Sequence, residues 1–335
     1  MAITISGGVQ LSGPVLLDPT GSSPSPSPSG GGSFQGSNYG YTSGGDGQPV
    51  APYTNVIQKF SFTSDGNATD VGDLTVSRAY LAGQSSSVSG YSSGGYGGAP
   101  ALSNDYRDVI DKFPFSSDSN ATDVGDLLEA TNTNSGNSSS NNGYSCGGAP
   151  SGGNVNIIQK FPFASDSNAT DAADLLSANG SSAGQNSSVS GYQSGGSSPY
   201  LDVIQKFPFS SDSNATDVGD LVQARSRAAG QSSTTHGYAS SGTLGPPSFS
   251  TTLTYEKFAF ASDGNASNVG NITGDGRSYV AGQSSTTSGY NTGGSQGNVP
   301  GRNNIIDKFP TASDADATDV GDLTLNVLAA TGQQY

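Results

Sequence analysis

Residue types that build cofactor sites, disulfides and membrane anchors are scarce in this chain of 335 residues. It has one Cys, one His, one Met and no Trp. A single Cys excludes an intramolecular disulfide framework, and one Cys with one His cannot supply a zinc site of the Cys/His type. No apolar run approaches the roughly 20 residues that span a bilayer. We therefore predict no membrane insertion and no cofactor, with calcium as the alternative considered below.

Positive charge is also in short supply. Twelve Lys and Arg stand against 27 Asp and Glu, which gives a net charge of -15. A surface of that sign repels phosphate backbones, so we expect no nucleic-acid partner. The N-terminus lacks a basic segment followed by a continuous apolar core. We therefore expect no signal peptide and folding in a reducing cytoplasm.

Gly and Pro, in contrast, are abundant, with 49 and 17 residues. Such a composition indicates disorder only when no period organises it. Here an Ile-x-Lys-Phe motif, with Tyr for Ile in one copy, occurs six times. Its Phe residues are separated by 53, 48, 46, 51 and 51 residues, at Phe60, Phe113, Phe161, Phe207, Phe258 and Phe309. A period near 50 is typical of propeller blades.

Each repeat contains four short segments. They read Gly-Tyr-x-x-Gly-Gly, Ile-x-Lys-Phe-x-Phe, Ser-Asp-x-Asn-Ala-Thr-Asp-Val-Gly-Asp-Leu and Ala-Gly-Gln-Ser-Ser, with local variation. Aromatic or β-branched runs between clusters of Gly, Asn, Asp and Ser indicate strands and turns, whereas no window has helical spacing. Because four short strands make one blade, we predict an all-β fold, a six-bladed β-propeller over residues 34–335.

One stretch of the repeat resembles a known family. In chain order, Arg78, Ala82 to Gln84, Gly90 to Gly95, Ile110 to Phe113 and Ser117-Asp118 are similar to kelch repeats. In that family an Arg precedes a hairpin that ends in Gly-Gly, and a later strand carries a Trp. This chain has Phe at the position of a kelch Tyr, and it has no Trp. The resemblance implies a kelch-like propeller.

The ends of the repeat region predict how the ring closes. The chain enters the repeat at Gly40-Tyr41 and leaves it at Ala330 to Gln333, the segment that elsewhere directly precedes Gly-Tyr. Pairing of residues 328–334 with residues 37–44 completes a blade and removes an open sheet edge.

Ahead of the repeats, the composition changes twice. Residues 22–33 are a linker of Pro, Ser and Gly, and residues 1–21 are a short β arm with partial apolar alternation. The arm has no partner strand in its own segment, so we predict that it attaches the chain to another protein. Its apolar residues are Ile3, Ile5, Val9 and Leu11.

The acidic loops allow two interpretations. Asp65, Asn67, Asp70 and Asp73 recur in later repeats, and oxygen-rich loops suit Ca²⁺. The spacing loosely resembles the calcium loops of integrin-type propellers, but Thr69 then Asp70 stand where that pattern has an acid then Gly. The interpretation that we favour is a turn in which Asp and Asn side chains bond to nearby backbone.

All six lysines occupy one repeat position, at Lys59, Lys112, Lys160, Lys206, Lys257 and Lys308. They form either a basic ring for an anion or a structural ion pair in every repeat. Because binding sites usually occur once, we favour structure and expect Lys59 to pair with Asp70 or Asp73 on the next strand. The single Cys146 and His236 replace Ser of sister repeats, which argues against a catalytic pair.

Sequence variation concentrates in the loops between Gly-Gly and Ile-x-Lys-Phe. Variable loops on a rigid scaffold usually carry binding function, so we predict a ligand-binding surface there. Its aromatic residues, which suit stacking on sugar rings, are Tyr53, Tyr96, Tyr106 and Tyr200. The alternative is that these rings only cover blade edges.

The start Met-Ala-Ile-Thr-Ile-Ser-Gly-Gly and the Lys-Phe-Pro-Phe, Ser-Asp and Gly-Gln-Ser-Ser repeats look like those of virion proteins of tailed phages, particularly marine ones. That resemblance implies a non-enzymatic structural protein, a tail fibre or head decoration, assembled in the host cytoplasm. The expected partners are other virion proteins, further copies of the chain, and a host-surface glycan or protein. A cellular kelch-type interaction propeller and a lectin-like propeller remain as alternatives.

Overall fold

The computed structural model describes residues 35–48, 52–97, 105–197, 199–296 and 301–335, and this part of the chain is all-β. The predicted arm, with Ile3, Ile5, Val9 and Leu11, and the predicted linker lie outside the described residues.

The strands are short and are numbered in chain order. The first group is β1 (Tyr39–Ser43), β2 (Asp46–Gln48), β3 (Val56–Ser61), β4 (Thr69–Asp73), β5 (Ala82–Ser85), β6 (Ser89–Ser93), β7 (Arg107–Pro114) and β8 (Thr122–Thr131). The second is β9 (Ser135–Ser138), β10 (Asn142–Cys146), β11 (Ile157–Pro162), β12 (Thr170–Asp174), β13 (Ala183–Asn186), β14 (Ser190–Ser194), β15 (Val203–Pro208) and β16 (Thr216–Asp220). The third is β17 (Arg225–Ser226), β18 (Ala229–Ser232), β19 (His236–Ser240), β20 (Thr243–Leu244), β21 (Thr254–Ala259) and β22 (Ser267–Asn271). The last is β23 (Arg277–Ser278), β24 (Ala281–Ser284), β25 (Ser288–Thr292), β26 (Ser295–Gln296), β27 (Gly301–Pro310), β28 (Thr318–Leu328) and β29 (Thr331–Gln334).

Five small antiparallel sheets are ringed like the blades of a β-propeller. Their strand orders are β29-β1-β3-β4, β5-β6-β7-β8, β9-β10-β11-β12, β13-β14-β15-β16 and β18-β19-β21-β22. A curled, seven-stranded sheet contains β24, β25, β27 and β28 in the corresponding order and adds β2, β23 and β26, while β17 and β20 form a separate pair. The predicted all-β, propeller-like arrangement is confirmed.

The closure predicted from the repeat phase is also confirmed. Strand β29 pairs with β1 in an antiparallel register that runs from Gly40 opposite Gln334 to Ser43 opposite Thr331. The last strand of the chain thus lies in the same sheet as the first, and the edge of β1 is covered.

The innermost strands meet at a circle of glycines. A Cβ atom built on Gly136 would lie 2.0 Å from the carbonyl oxygen of Gly83, so only Gly allows this approach of two backbones. The same contact is made around the whole circle, by Gly184 on Gly136, Gly230 on Gly184, Gly282 on Gly230, Gly332 on Gly282 and Gly83 on Gly332.

Aromatic stacking between neighbouring sheets forms most of the core. Tyr41 stacks on Phe115 of the next sheet with ring centroids 5.0 Å apart. Equivalent stacks, at 4.7 to 5.1 Å, join Tyr91 to Phe163, Tyr144 to Phe209, Tyr192 to Phe260 and Tyr290 to Phe62. These pairs fill the space between blades without any Trp, and each contributes about 0.5–1.5 kcal/mol beyond the area that it buries.

One interface between sheets has a different arrangement of aromatic rings. Thr311 stands where the other repeats have their second Phe, so Tyr238 has no second ring to stack on. In the same interface Tyr255 replaces the usual Ile, and its ring stacks on Phe309 at 4.3 Å. Tyr255 therefore keeps a stacked pair of rings in this interface, although the pair differs from that of the other repeats.

Buried ion pairs occur in three of the repeats. Arg78 donates to the Asp111 carboxylate at 2.7 Å, and both side chains are fully buried. Arg225 pairs with Glu256 and Arg277 with Asp307, also in full burial. In the other three repeats a residue without charge replaces the Arg and a Gln replaces the acid. These combinations are Thr131 with Gln159, Asn179 with Gln205 and Val327 with Gln58. An acid is thus present only where an Arg is present to neutralise it, as burial of charge requires.

A variant series at this pair tests that coupling. We expect Arg78→Thr alone to lower the free energy of unfolding by about 3–5 kcal/mol, because Asp111 is left buried and unpaired. Adding Asp111→Gln recreates the combination of Thr131 and Gln159, so the double variant is expected to regain most of that loss. Urea denaturation measures both values. A double variant no more stable than Arg78→Thr would contradict the coupling.

The glycine circle gives a second prediction with a control in the same chain. We expect Gly136→Ala to destabilise the fold by about 3 kcal/mol, because the added methyl overlaps the backbone of Gly83. Gly152→Ala is the control, since a Cβ there would have no atom within 4 Å. The midpoint of denaturant unfolding should fall for the first variant and stay unchanged for the second. Equal midpoints would show that the circle tolerates a side chain.

Candidate functional site

The two ends of the ring carry different parts of the repeat. Antiparallel pairing sets Ser93 opposite Ile110 and Ser89 opposite Pro114. Gly94-Gly95 and the loop after it therefore lie at one end of this sheet, and Ser117-Asp118 lies at the other. The same register recurs in the other repeats. We refer to these as the Gly-Gly end and the Ser-Asp end.

At the Ser-Asp end, every Lys forms an ion pair with the following repeat. Lys59 contacts Asp118 at 2.5 Å, and Lys308 contacts Asp65 at 2.9 Å, which closes the series. The remaining pairs are Lys112–Asp166, Lys160–Asp212, Lys206–Asp263 and Lys257–Asp314. Each Asp is more than half exposed, so one pair contributes less than about 1 kcal/mol.

The predicted partner of Lys59 was wrong. Asp70 lies opposite Gln58 in the β3–β4 register and Asp73 opposite Val56, whereas Lys59 lies opposite Thr69. The lysine therefore extends to the adjacent sheet. The six Lys–Asp pairs connect neighbouring repeats, whereas the sequence predicted a pair within each repeat.

The oxygen-rich loop residues have polar partners within the protein. The Asp70 carboxylate accepts a hydrogen bond from the Gly72 N–H at 3.2 Å, which is the predicted Asx turn. The Asn67 side-chain oxygen accepts from the Asp322 N–H at 3.1 Å, and Asp65 is paired with Lys308. Within the described ranges, no group of three or more His, Cys, Asp or Glu side chains is arranged to hold a metal ion.

The two single residues, Cys146 and His236, lie in different sheets, on β10 and β19. Burial raises the pKa of the Cys146 thiol, which bonds to the Asn137 side chain at 3.4 Å. His236 Nδ1 lies 2.8 Å from the Thr235 hydroxyl, and burial lowers the pKa of its ring. A nucleophile needs a low thiol pKa and an adjacent base, so this arrangement does not activate Cys146.

The predicted tyrosines divide into two groups at the Gly-Gly end. Tyr96 contacts Tyr53 and Tyr106, with ring centroids 6.1 and 5.4 Å away. Tyr200 is separate from them and packs edge-on against Phe249, whose side chain is 58% exposed. The structure thus brings three of the four predicted residues together.

A second circle of residues surrounds the axis at the Gly-Gly end. Each repeat contributes the residue two positions before its Ala-Gly segment, and each has a left-handed φ between 53° and 61°. The N–H of each donates to the carbonyl oxygen of the one before it at 2.7–2.9 Å, and Tyr80 bonded to Ala329 completes the circle. The members are Tyr80, Thr133, Ser181, Arg227, Tyr279 and Ala329.

These residues line a cavity of about 140 Å³ together with the Ala-Gly segments of the inner strands. Tyr80 and Tyr279 pack edge to face at 5.3 Å, and the Arg227 guanidinium lies 4.6 Å from the centre of the Tyr279 ring. Arg227 is the single charged residue among those that line the cavity within the described part of the chain.

The pKa values of Tyr80 and Tyr279 are raised above that of free tyrosine. The pKa of Tyr80 is raised to about 12, first by burial and then by Tyr279, Asp46 and Tyr53, while Arg227 opposes the rise. Burial also raises the pKa of Tyr279, against the charge of Arg227, and Tyr200 adds to the rise.

Sequence reasoning missed Tyr80, Arg227 and Tyr279. The signal was present, since one position next to the repeated Ala-Gly-Gln segment changes among Tyr, Thr, Ser, Arg and Ala. A position that varies this widely beside a segment that changes little makes no framework contact common to all repeats through its side chain. It is thus a candidate for binding.

No protein-family model matches the chain, and a search of the curated proteins returns no match. In the ranges that the structure describes, no helix is long and apolar enough to cross a membrane.

The loop contacts predict how the protein responds to a chelator. We expect EDTA to leave the melting temperature unchanged, because Asp65, Asn67 and Asp70 are engaged with Lys308 and backbone N–H groups. Differential scanning calorimetry with and without excess calcium measures this. A fall in melting temperature on chelation, reversed by calcium, would support the integrin-like alternative.

Proposed function

We propose that this chain is a six-bladed, kelch-like propeller that acts as a non-enzymatic binding scaffold displayed on a phage particle. In this proposal β24, β25, β27 and β28 are the sixth blade within the larger sheet. Their order, which matches that of the five small sheets, and the six members of the glycine circle support that count.

The observation that carries the binding role is the contrast between the two ends of the ring. At the Ser-Asp end the same Lys–Asp pair is present in all six repeats. At the Gly-Gly end the axial position holds five different residue types, and the neighbouring loops differ in length. A constant framework with one variable end is the arrangement expected of a recognition surface.

The chemistry of the variable end favours a host-surface ligand with apolar and polar faces. The group of Tyr53, Tyr96 and Tyr106 and the pair of Tyr200 and Phe249 place aromatic rings at the Gly-Gly end, in addition to the rings of the axial cavity. Tyr combines a rigid ring with a hydroxyl, which suits both glycan and protein surfaces. The glycan ligand corresponds to the lectin-like alternative, and a cellular protein-interaction propeller would use the same end.

The particle location has a different support, which is the resemblance of the repeats and of the first residues to tailed-phage virion proteins. In the proposal, residues 1–21 insert into other virion proteins and copies of the propeller project outward. The role of Ile3, Ile5, Val9 and Leu11 is then to provide the apolar side of the inserted strand.

Particle composition tests this function. We expect mass spectrometry of purified phage particles to detect the chain in multiple copies, at a level well above that of contaminating host proteins. Deletion of residues 1–21 is expected to abolish incorporation while the melting temperature of the propeller is unchanged. Absence of the full-length chain from particles would contradict the virion role, and incorporation of the deleted chain would contradict the role of the arm.

A further inference from the structure

One arginine differs from every other cation of the protein. The chain has twelve Lys and Arg, and eleven of them form an ion pair with a carboxylate. Arg227 is the exception within the described residues, since no carboxylate lies within 4.0 Å of its guanidinium. In a chain with a net charge of -15, an unpaired cation is unusual and points to a partner outside the protein.

The surroundings hold Arg227 in place for such a partner. Its guanidinium stacks on the Tyr279 ring at 4.6 Å, which restricts the side chain. Its Nε atom is buried and has no hydrogen-bond partner among the described residues. A buried donor without an acceptor is unfavourable, so a ligand acceptor that reaches Nε relieves this cost.

The rest of the cavity limits the chemistry of the ligand. Its lining in the described ranges has no Asp or Glu, and it includes the rings of Tyr80 and Tyr279 and the apolar Val280. A guanidinium matches the planar fork of a carboxylate in two parallel hydrogen bonds. The acidic protein repels a doubly charged anion more strongly than a singly charged one.

We propose that this axial cavity binds an acidic sugar, with its carboxylate on Arg227 and its ring against Tyr80 and Tyr279. The inference rests on the proposed function, because it names the class of host-surface glycan that the variable end recognises. One such site is present in each ring, since the other three axial positions hold Thr133, Ser181 and Ala329, and the described lining has no second cation. The expected stoichiometry is one sugar per chain.

Calorimetric titration of the full-length chain with D-glucuronate tests the site. We expect saturable binding at one site, and Arg227→Ser should weaken it about 10- to 100-fold, since it removes the charged donor. Serine already occupies the equivalent position at Ser181, with φ of 57°, so the backbone tolerates this change. Arg227→Lys keeps the charge but loses the fork, and it should bind with intermediate affinity.

The matched control is Lys160→Gln at the Ser-Asp end, which changes the net charge by the same amount and should leave glucuronate affinity unaltered. Neutral D-glucose and inorganic phosphate are the two ligand controls. Much weaker binding of both than of glucuronate supports an acidic sugar. Three results would overturn the acidic-sugar assignment. The native chain could bind phosphate as tightly as glucuronate, it could fail to bind glucuronate, or Arg227→Ser could bind glucuronate as tightly as the native chain does.

Failure of this inference can be told apart from failure of the proposed function. If the chain is present in particles but does not bind glucuronate, only the acidic-sugar site is wrong. If glucuronate binds with the expected dependence on Arg227 and the chain is absent from particles, the cavity assignment holds and the virion role fails. If Arg227→Ser does not fold, the glucuronate affinity of Arg227→Lys is compared with that of the native chain. Equal affinities would exclude a bidentate contact between Arg227 and the carboxylate.

Discussion

Contact between consecutive repeats is the constraint on which this structure depends. The Gln84 side chain, for example, donates to the carbonyl oxygen of Tyr144 in the next sheet, and the series ends where Gln333 donates to the carbonyl of Tyr91. The Lys–Asp pairs, the Tyr–Phe stacks and the glycine contacts also join one repeat to its neighbour. A single repeat therefore leaves these polar and aromatic groups without their partners, and a ring that closes gives every repeat a neighbour. Individually small interactions become sufficient because each is made around the whole ring.

This constraint explains the unusual composition. Only 32% of the residues are hydrophobic, and Gln, Ser and Thr take many buried positions that apolar residues fill in other cores. Many of those polar side chains, such as Gln84 and Gln333, form hydrogen bonds across the sheet interfaces, which offsets the cost of burying a polar group. Gly is abundant because the backbones of neighbouring inner strands touch at the glycine circle, where a side chain would not fit. A Gly-rich sequence is thus compatible with a packed fold when its glycines recur at fixed places.

Much of the framework was predictable from the chain alone, and the binding end was predictable only in part. The 50-residue period, the four segments and the repeat phase led to small sheets and to the pairing of β1 with β29, because local turn chemistry and register are written in short motifs. The predicted partner of Lys59 on the adjacent strand was wrong, because the lysine reaches Asp118 of the next sheet, a contact that depends on how the sheets pack. Of the four tyrosines predicted to share one binding surface, Tyr53, Tyr96 and Tyr106 are in ring contact, whereas Tyr200 lies apart with Phe249.

The sequence by itself determined the repeat and the type of each segment. These properties follow from hydrophobic period and turn residues, which act within or between neighbouring segments. Only the tertiary structure decided which residues surround the axis. Tyr80, Arg227 and Tyr279 are 52 to 199 residues apart in the chain, and the closed circle of backbone hydrogen bonds brings them to one cavity. Their proximity depends on ring closure, which no single segment specifies.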